Sequence, residues 1–77
     1  MDDVEIREAQ LVFVNLECRW IDERNRNPRL MRELEDAEKR LIALFMDEWR
    51  ERGGEARMMA KAYAEYRKTL LHHAKRN

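Results

Sequence analysis

Apolar residues recur along most of this chain at intervals of three and four. That spacing gathers side chains on one side of an α-helix, which turns about 100° per residue. The pattern is cleanest from Pro28 to Arg52. Leu30, Leu34, Ala37, Leu41, Leu44 and Phe45 fall on one side, and Met31, Ile42 and Trp49 widen the stripe. Arg32, Asp36, Lys39, Arg40, Asp47 and Arg50 lie opposite. Asn27 can cap the start with its side-chain oxygen, and Pro28 suits a first helical position because it has no N–H to satisfy. Glu33 and Glu35 follow near the positive end of the helix dipole. Glu35–Lys39 and Asp36–Arg40 have the acid-before-base i,i+4 order that supports an exposed helix face.

Gly53-Gly54 stops this run, and Glu55 opens another that reaches about Lys75. Met59, Tyr63, Tyr66 and Leu70 share a face there, flanked by Ala56, Ala60 and Ala74, which are small enough to let a neighbouring helix approach. Arg67, Lys68, Lys75 and Arg76 gather towards the C-terminal end, where cations complement the dipole.

The first segment supports two readings. As a helix over about 3–23, it puts Ile6, Ala9, Val12, Phe13, Leu16 and Trp20 on one face and Val4, Leu11, Val14, Cys18 and Ile21 on another, nearly opposite. A helix apolar on both sides is either central or shared with a second subunit. As a strand, Val12, Val14, Leu16, Cys18 and Trp20 alternate with Asn15, Glu17 and Arg19, and a lone strand would need an intermolecular partner. The stretch from Glu5 to Gln10 favours the helix. The expected fold is therefore all-α, with helices over about 3–23, 28–52 and 55–75, forming a three-helix bundle or a helical hairpin completed by dimerisation. The alternative is an N-terminal strand followed by two helices in a ribbon-type dimer.

Seventy-seven residues make one small domain, short enough that folding buries only about 60% of the surface the unfolded chain exposes. Chains of this size usually need a staple. Cys18 is alone, so no internal disulfide is possible, and no Cys/His cluster has zinc-site spacing. Very good helix packing or a second copy of the chain remains as the source of stability, and the first segment, apolar on two sides, makes a homodimer the expectation. Helix formers dominate, with only two glycines and one proline. The acidic start, Met1-Asp2-Asp3, lacks the basic region of a secretory signal, no apolar run is long enough for a membrane span, and one free cysteine suits a reducing compartment. These features point to a cytoplasmic protein.

No residue pattern carries a recognisable reaction. His72 and His73 point about 100° apart on a helix and cannot share a metal as i,i+4 ligands do. Cys18 has acidic Glu17 and Asp22 beside it and only Arg19 to favour a thiolate, so it reads as a packing residue. Carboxylate pairs such as Glu33 with Asp36, or Asp47 with Glu51, interleave with arginines and lack the Glu-x-x-His motif of helical metal sites. With no phosphate loop, nucleophile motif or metal set, the expectation is a non-enzyme without a cofactor.

Charge layout adds more than the net charge, which is zero from sixteen cations and sixteen anions. Residues 1–23 hold seven acids and two bases, a balance of −5; residues 54–77 hold six bases and two acids, a balance of +4. The acidic first segment can pack beside the basic last one. Alternatively, Arg57, Lys61, Arg67, Lys68, Lys75 and Arg76 can offer a basic strip to nucleic acid, though no RNP-like or helix-turn-helix signature accompanies them. The favoured function is that of a protein-binding module: a small adaptor, or an inhibitor or regulator of a larger protein or complex. Its candidate contact residues are Val14, Cys18, Trp20, Ile21, Met58 and Tyr66, on the spare face of the first segment and at aromatic or methionine positions suited to interface anchoring.

Overall fold

The computed structural model describes residues 3–75, and side chains from Val4 to His73. Helix α1 spans Asp3–Asp22, α2 spans Pro28–Glu51, and α3 spans Met59–Lys75 after a 3-10 turn at Ala56–Met58. No strand occurs among the described residues, so the strand reading of the first segment is set aside. The alternation from Val12 to Trp20 that suggested it belongs to a helix with apolar residues on several sides.

The two connections are built alike. At the end of α1, Asn25 N–H bonds the Trp20 carbonyl (2.9 Å) and Arg24 N–H bonds that of Ile21 (3.0 Å). At the end of α2, Gly54 N–H bonds the Trp49 carbonyl (2.9 Å) and Gly53 N–H that of Arg50 (3.0 Å). Both are Schellman motifs, which satisfy carbonyls left over in the last helical turn and require a left-handed residue just past the helix. Gly53 adopts it freely (φ 76°), but Arg24 holds the same conformation with a side chain (φ 57°), and Asn25 follows at φ 60°. Arg24→Gly should therefore raise stability by about 1 kcal/mol, measured by urea denaturation; Gly53→Ala should lower it by a similar amount. Gly54 answers a different need, since a Cβ there would fall inside the Trp49 indole. That indole donates from Nε1 to the Glu55 carbonyl at 2.9 Å, closing the turn.

Asn27 caps α2, its Oδ1 accepting from Arg29 N–H (3.1 Å) and Leu30 N–H (3.3 Å) while its Nδ2 donates to Glu23 (3.0 Å). The first turn of α2 carries no acid, so Glu33 and Glu35 lie past the reach of the dipole effect. Glu35–Lys39 and Asp36–Arg40 form no ion pair; the i,i+4 pair that α2 does make at its end is Glu48–Arg52 at 2.6 Å.

Ile6, Ala9 and Phe13 of α1 are buried with Leu41 of α2, and Val14, Leu34, Leu44, Tyr66, Leu70 and Leu71 pack around them. Leu30 is also buried. All of the fully buried core side chains come from α1 and α2; α3 lies over this pair through half-buried residues. The packing corrects one detail of the α1 pattern. Val12, placed on the core face by periodicity, is 50% exposed, whereas Val14 is half-buried and packs against the core cluster. Ala56 and Ala60, expected to line a helix contact, are exposed.

An aromatic layer joins α2 to α3. The Phe45 ring meets Tyr66 at 5.0 Å and Tyr63 edge-on at 5.4 Å, and stacks on Trp49 at 6.1 Å. Gln10 of α1 donates through Nε2 to the Tyr66 hydroxyl. The Tyr63 hydroxyl is buried without a hydrogen-bond partner. Burial first, and the Glu38 carboxylate second, push its pKa up to about 12 from 10. The folded state thus favours the neutral phenol. The associated stability is fully present below pH 10, the unfolded value, and is lost as pH rises through about 12. Tyr63→Phe should therefore flatten the loss of stability between pH 10 and 12. It should also raise stability at neutral pH by about 1 kcal/mol, because an unmet buried hydroxyl is removed. Denaturation curves over that pH range check both.

Candidate protein-binding surfaces

The C-terminal half of α1, the first half of α2 and α3 leave a groove of about 320 Å³ between them. Trp20 comes from α1, Met31, Leu34 and Ile42 from α2. Positions 31, 34, 38 and 42 recur every three to four residues, so α2 presents them as one row. The groove is mostly apolar, with charge confined to its walls: Glu17, Glu35, Glu38, Lys39 and Arg67.

Arg67 organises the charged wall. Its Nε donates to Glu38 at 3.2 Å, a second guanidinium nitrogen lies 3.8 Å from Glu17, and its centre sits 5.4 Å from the Phe13 ring centroid. One cation therefore meets two carboxylates and an aromatic face, joining all three helices at a single point. The wall keeps one excess negative charge. Its Glu17 Oε2 is buried with no hydrogen bond, only the longer ion pair to Arg67.

The other sequence candidates separate into three places. Val14, Cys18 and Ile21 lie on the side of α1 away from α2, Ile21 exposed and Val14 and Cys18 half-buried. Tyr66 is a half-buried member of the aromatic layer, raised in pKa by burial, and faces a second, more polar cleft with Ile6, Arg7 and Trp49. Met58 is exposed at the opposite end, in the 3-10 turn. Only Trp20 enters the groove. Met31 and Ile42, members of the α2 stripe, also line the groove, and that placement depends on how far α3 reaches along α2, which periodicity does not carry. Leu11, which is not among the sequence candidates, is 63% exposed and lies seven residues from both Val4 and Cys18.

The basic candidates are dispersed as well. Arg67 is engaged as described, and Arg57 pairs with Glu55 at 2.7 Å. Lys61 and Lys68 are exposed, while the Lys75 side chain and Arg76 lie outside the described part. Among the described residues no group of histidine, cysteine or carboxylate side chains is placed to hold a metal, and no helix is long and apolar enough to cross a membrane. No family model, characterised protein or solved structure matches the chain.

Proposed function

We propose that this chain is a non-catalytic protein-binding module, a small adaptor or an inhibitor of a larger protein, that acts as a homodimer. The observation that carries the reading is the groove: an apolar floor anchored by Trp20, a charged wall with one excess negative charge, and room for one or two large side chains. Interfaces draw their energy from such anchor pockets, with charge at the rim fixing orientation. The occupant that fits best is a segment carrying a bulky apolar side chain next to a lysine or arginine, which would answer the excess negative charge of the wall.

Support for the dimer comes from Leu11 and Ile21, large apolar residues left 63% and 50% exposed on α1. Light scattering after size-exclusion chromatography should give a dimer mass; a monomer mass at tens of micromolar would overturn the homodimer reading.

Nucleic-acid binding through α3 is the weaker reading. With Arg67 and Arg57 already paired, Lys61 and Lys68 remain as its exposed cations with described side chains. Two phosphate contacts give a salt slope of only about −2, the mark of weak non-specific association. Titration with single- and double-stranded oligonucleotides at physiological salt tests the choice. No submicromolar binding is expected. Submicromolar binding lost in Lys61→Ala/Lys68→Ala would replace the protein-partner reading with the nucleic-acid one.

A further inference from the structure

We infer that the cleft between the first half of α1, the end of α2 and the middle of α3 binds an aromatic monocarboxylate, its acid group on Arg7 and the Tyr66 hydroxyl and its ring over Phe45 and Trp49. The cleft shares no lining residue with the Trp20 groove, so the inference stands apart from the protein-partner reading.

The cleft has a volume of about 350 Å³, enough for a small organic molecule. Its floor is aromatic. Phe45 stacks on Trp49 at 6.1 Å and meets Tyr66 at 5.0 Å. The Trp49 indole is held from behind, by its Nε1 bond to the Glu55 carbonyl and by Gly54 packed against the ring. A flat apolar surface fixed before a ligand arrives is one on which a planar ring can stack with little loss of side-chain freedom.

The polar groups around that floor are matched unevenly. Arg52 donates to Glu48 at 2.6 Å, so these two charges offset one another. Arg7, exposed at the rim, has no ion-pair partner among the described residues, which leaves the cleft with one excess positive charge. The Tyr66 oxygen accepts from Gln10 Nε2, while its own proton has no acceptor among the described residues. Burial raises the Tyr66 pKa, so the phenol keeps that proton at neutral pH and remains a donor. A guanidinium and a hydroxyl donor beside a flat apolar floor match a carboxylate joined to a ring. The charge count selects a monoanion. A phosphate dianion would bring a second negative charge towards Glu48 with no cation left to answer it.

An NMR titration of the full chain tests this, because the indole N–H resonances of Trp49 and Trp20 report the cleft and the groove separately. The probe is 2-naphthoate, with 2-naphthamide lacking its charge and acetate lacking its rings. Saturable shifts are expected at Trp49 and none at Trp20, with a dissociation constant of about 1 mM or tighter. The amide and acetate should each bind at least about tenfold more weakly, and so should naphthoate to Arg7→Gln, a change at an exposed position. Tyr66→Phe keeps the ring and should weaken naphthoate by about threefold or more through loss of the donor. Lys68→Gln, which removes an exposed cation outside the cleft, should bind as the wild type does. A short peptide with a C-terminal phenylalanine and a free carboxyl group identifies the source of the acid: tighter binding than naphthoate assigns it to a chain terminus, weaker binding to a free small molecule, and both support the site. Absence of a saturable shift at Trp49, equal binding of acid and amide, or unchanged affinity in Arg7→Gln would overturn the inference.

Discussion

Phe13→Ala is expected to lower folding stability by about 3–5 kcal/mol. Phe13 is wholly buried, at 0% exposure, and sits where the three helices meet. Its ring packs in the cluster with Ile6, Ala9 and Leu41, and its face lies beneath the Arg67 guanidinium. Truncation removes buried apolar surface, opens a cavity that two rigid helices cannot close, and takes the aromatic face from Arg67. For 77 residues a typical total stability is about 4–12 kcal/mol, so this loss is a large part of the whole. Urea denaturation followed by circular dichroism measures it. A loss under about 1 kcal/mol would mean that Phe13 is not at the centre of the core.

Arg67→Ala should cost about 2 kcal/mol, several times what an ordinary surface ion pair contributes. The reason is the number of roles one side chain fills. It gives a charge-assisted hydrogen bond to Glu38, neutralises part of the Glu17 charge and covers Phe13. Its removal leaves two carboxylates near one another at the groove wall. The half-exposure of the site screens part of this, which keeps the figure below that of a fully buried pair. Arg67→Lys should recover some of the charge term but lose the planar fork that addresses two acids at once. A double-mutant cycle with Glu38→Gln should show coupling between the two positions; strict additivity would reduce Arg67 to a surface residue.

The all-helical fold was legible because α2 is strongly periodic and both of its ends are marked, by Asn27-Pro28 and by Gly53-Gly54. The turn after α1 was harder to read because its left-handed position is filled by Arg24, where glycine would have announced it. Ambiguity in α1 has a physical source. Its apolar residues cover both the core side and the outer side, so periodicity alone cannot say which valine turns inward; the three-helix packing draws Val14 against the core cluster and leaves Val12 exposed. The charge split between the ends of the chain foretold an acid–base contact between α1 and α3, which Glu17 and Arg67 make. The groove itself was not legible, except for Trp20. It exists because α3 leaves Met31, Leu34 and Ile42 partly uncovered, and that depends on the angle and reach of α3 rather than on any residue type.

The claim that the groove receives another protein is tested most directly by capture from an extract of the source cell, with the nucleic acid digested, on three immobilised forms of the chain. These are the wild type, Met31→Glu and Lys61→Ala/Lys68→Ala. Met31 is 46% exposed, so a glutamate there should spare the fold while placing a charge on the groove floor. The expected result is a protein held in near-molar equivalence by the wild type and by the lysine variant, and lost from Met31→Glu. Identical retention on the wild type and Met31→Glu, or retention that disappears with nuclease treatment, would contradict it.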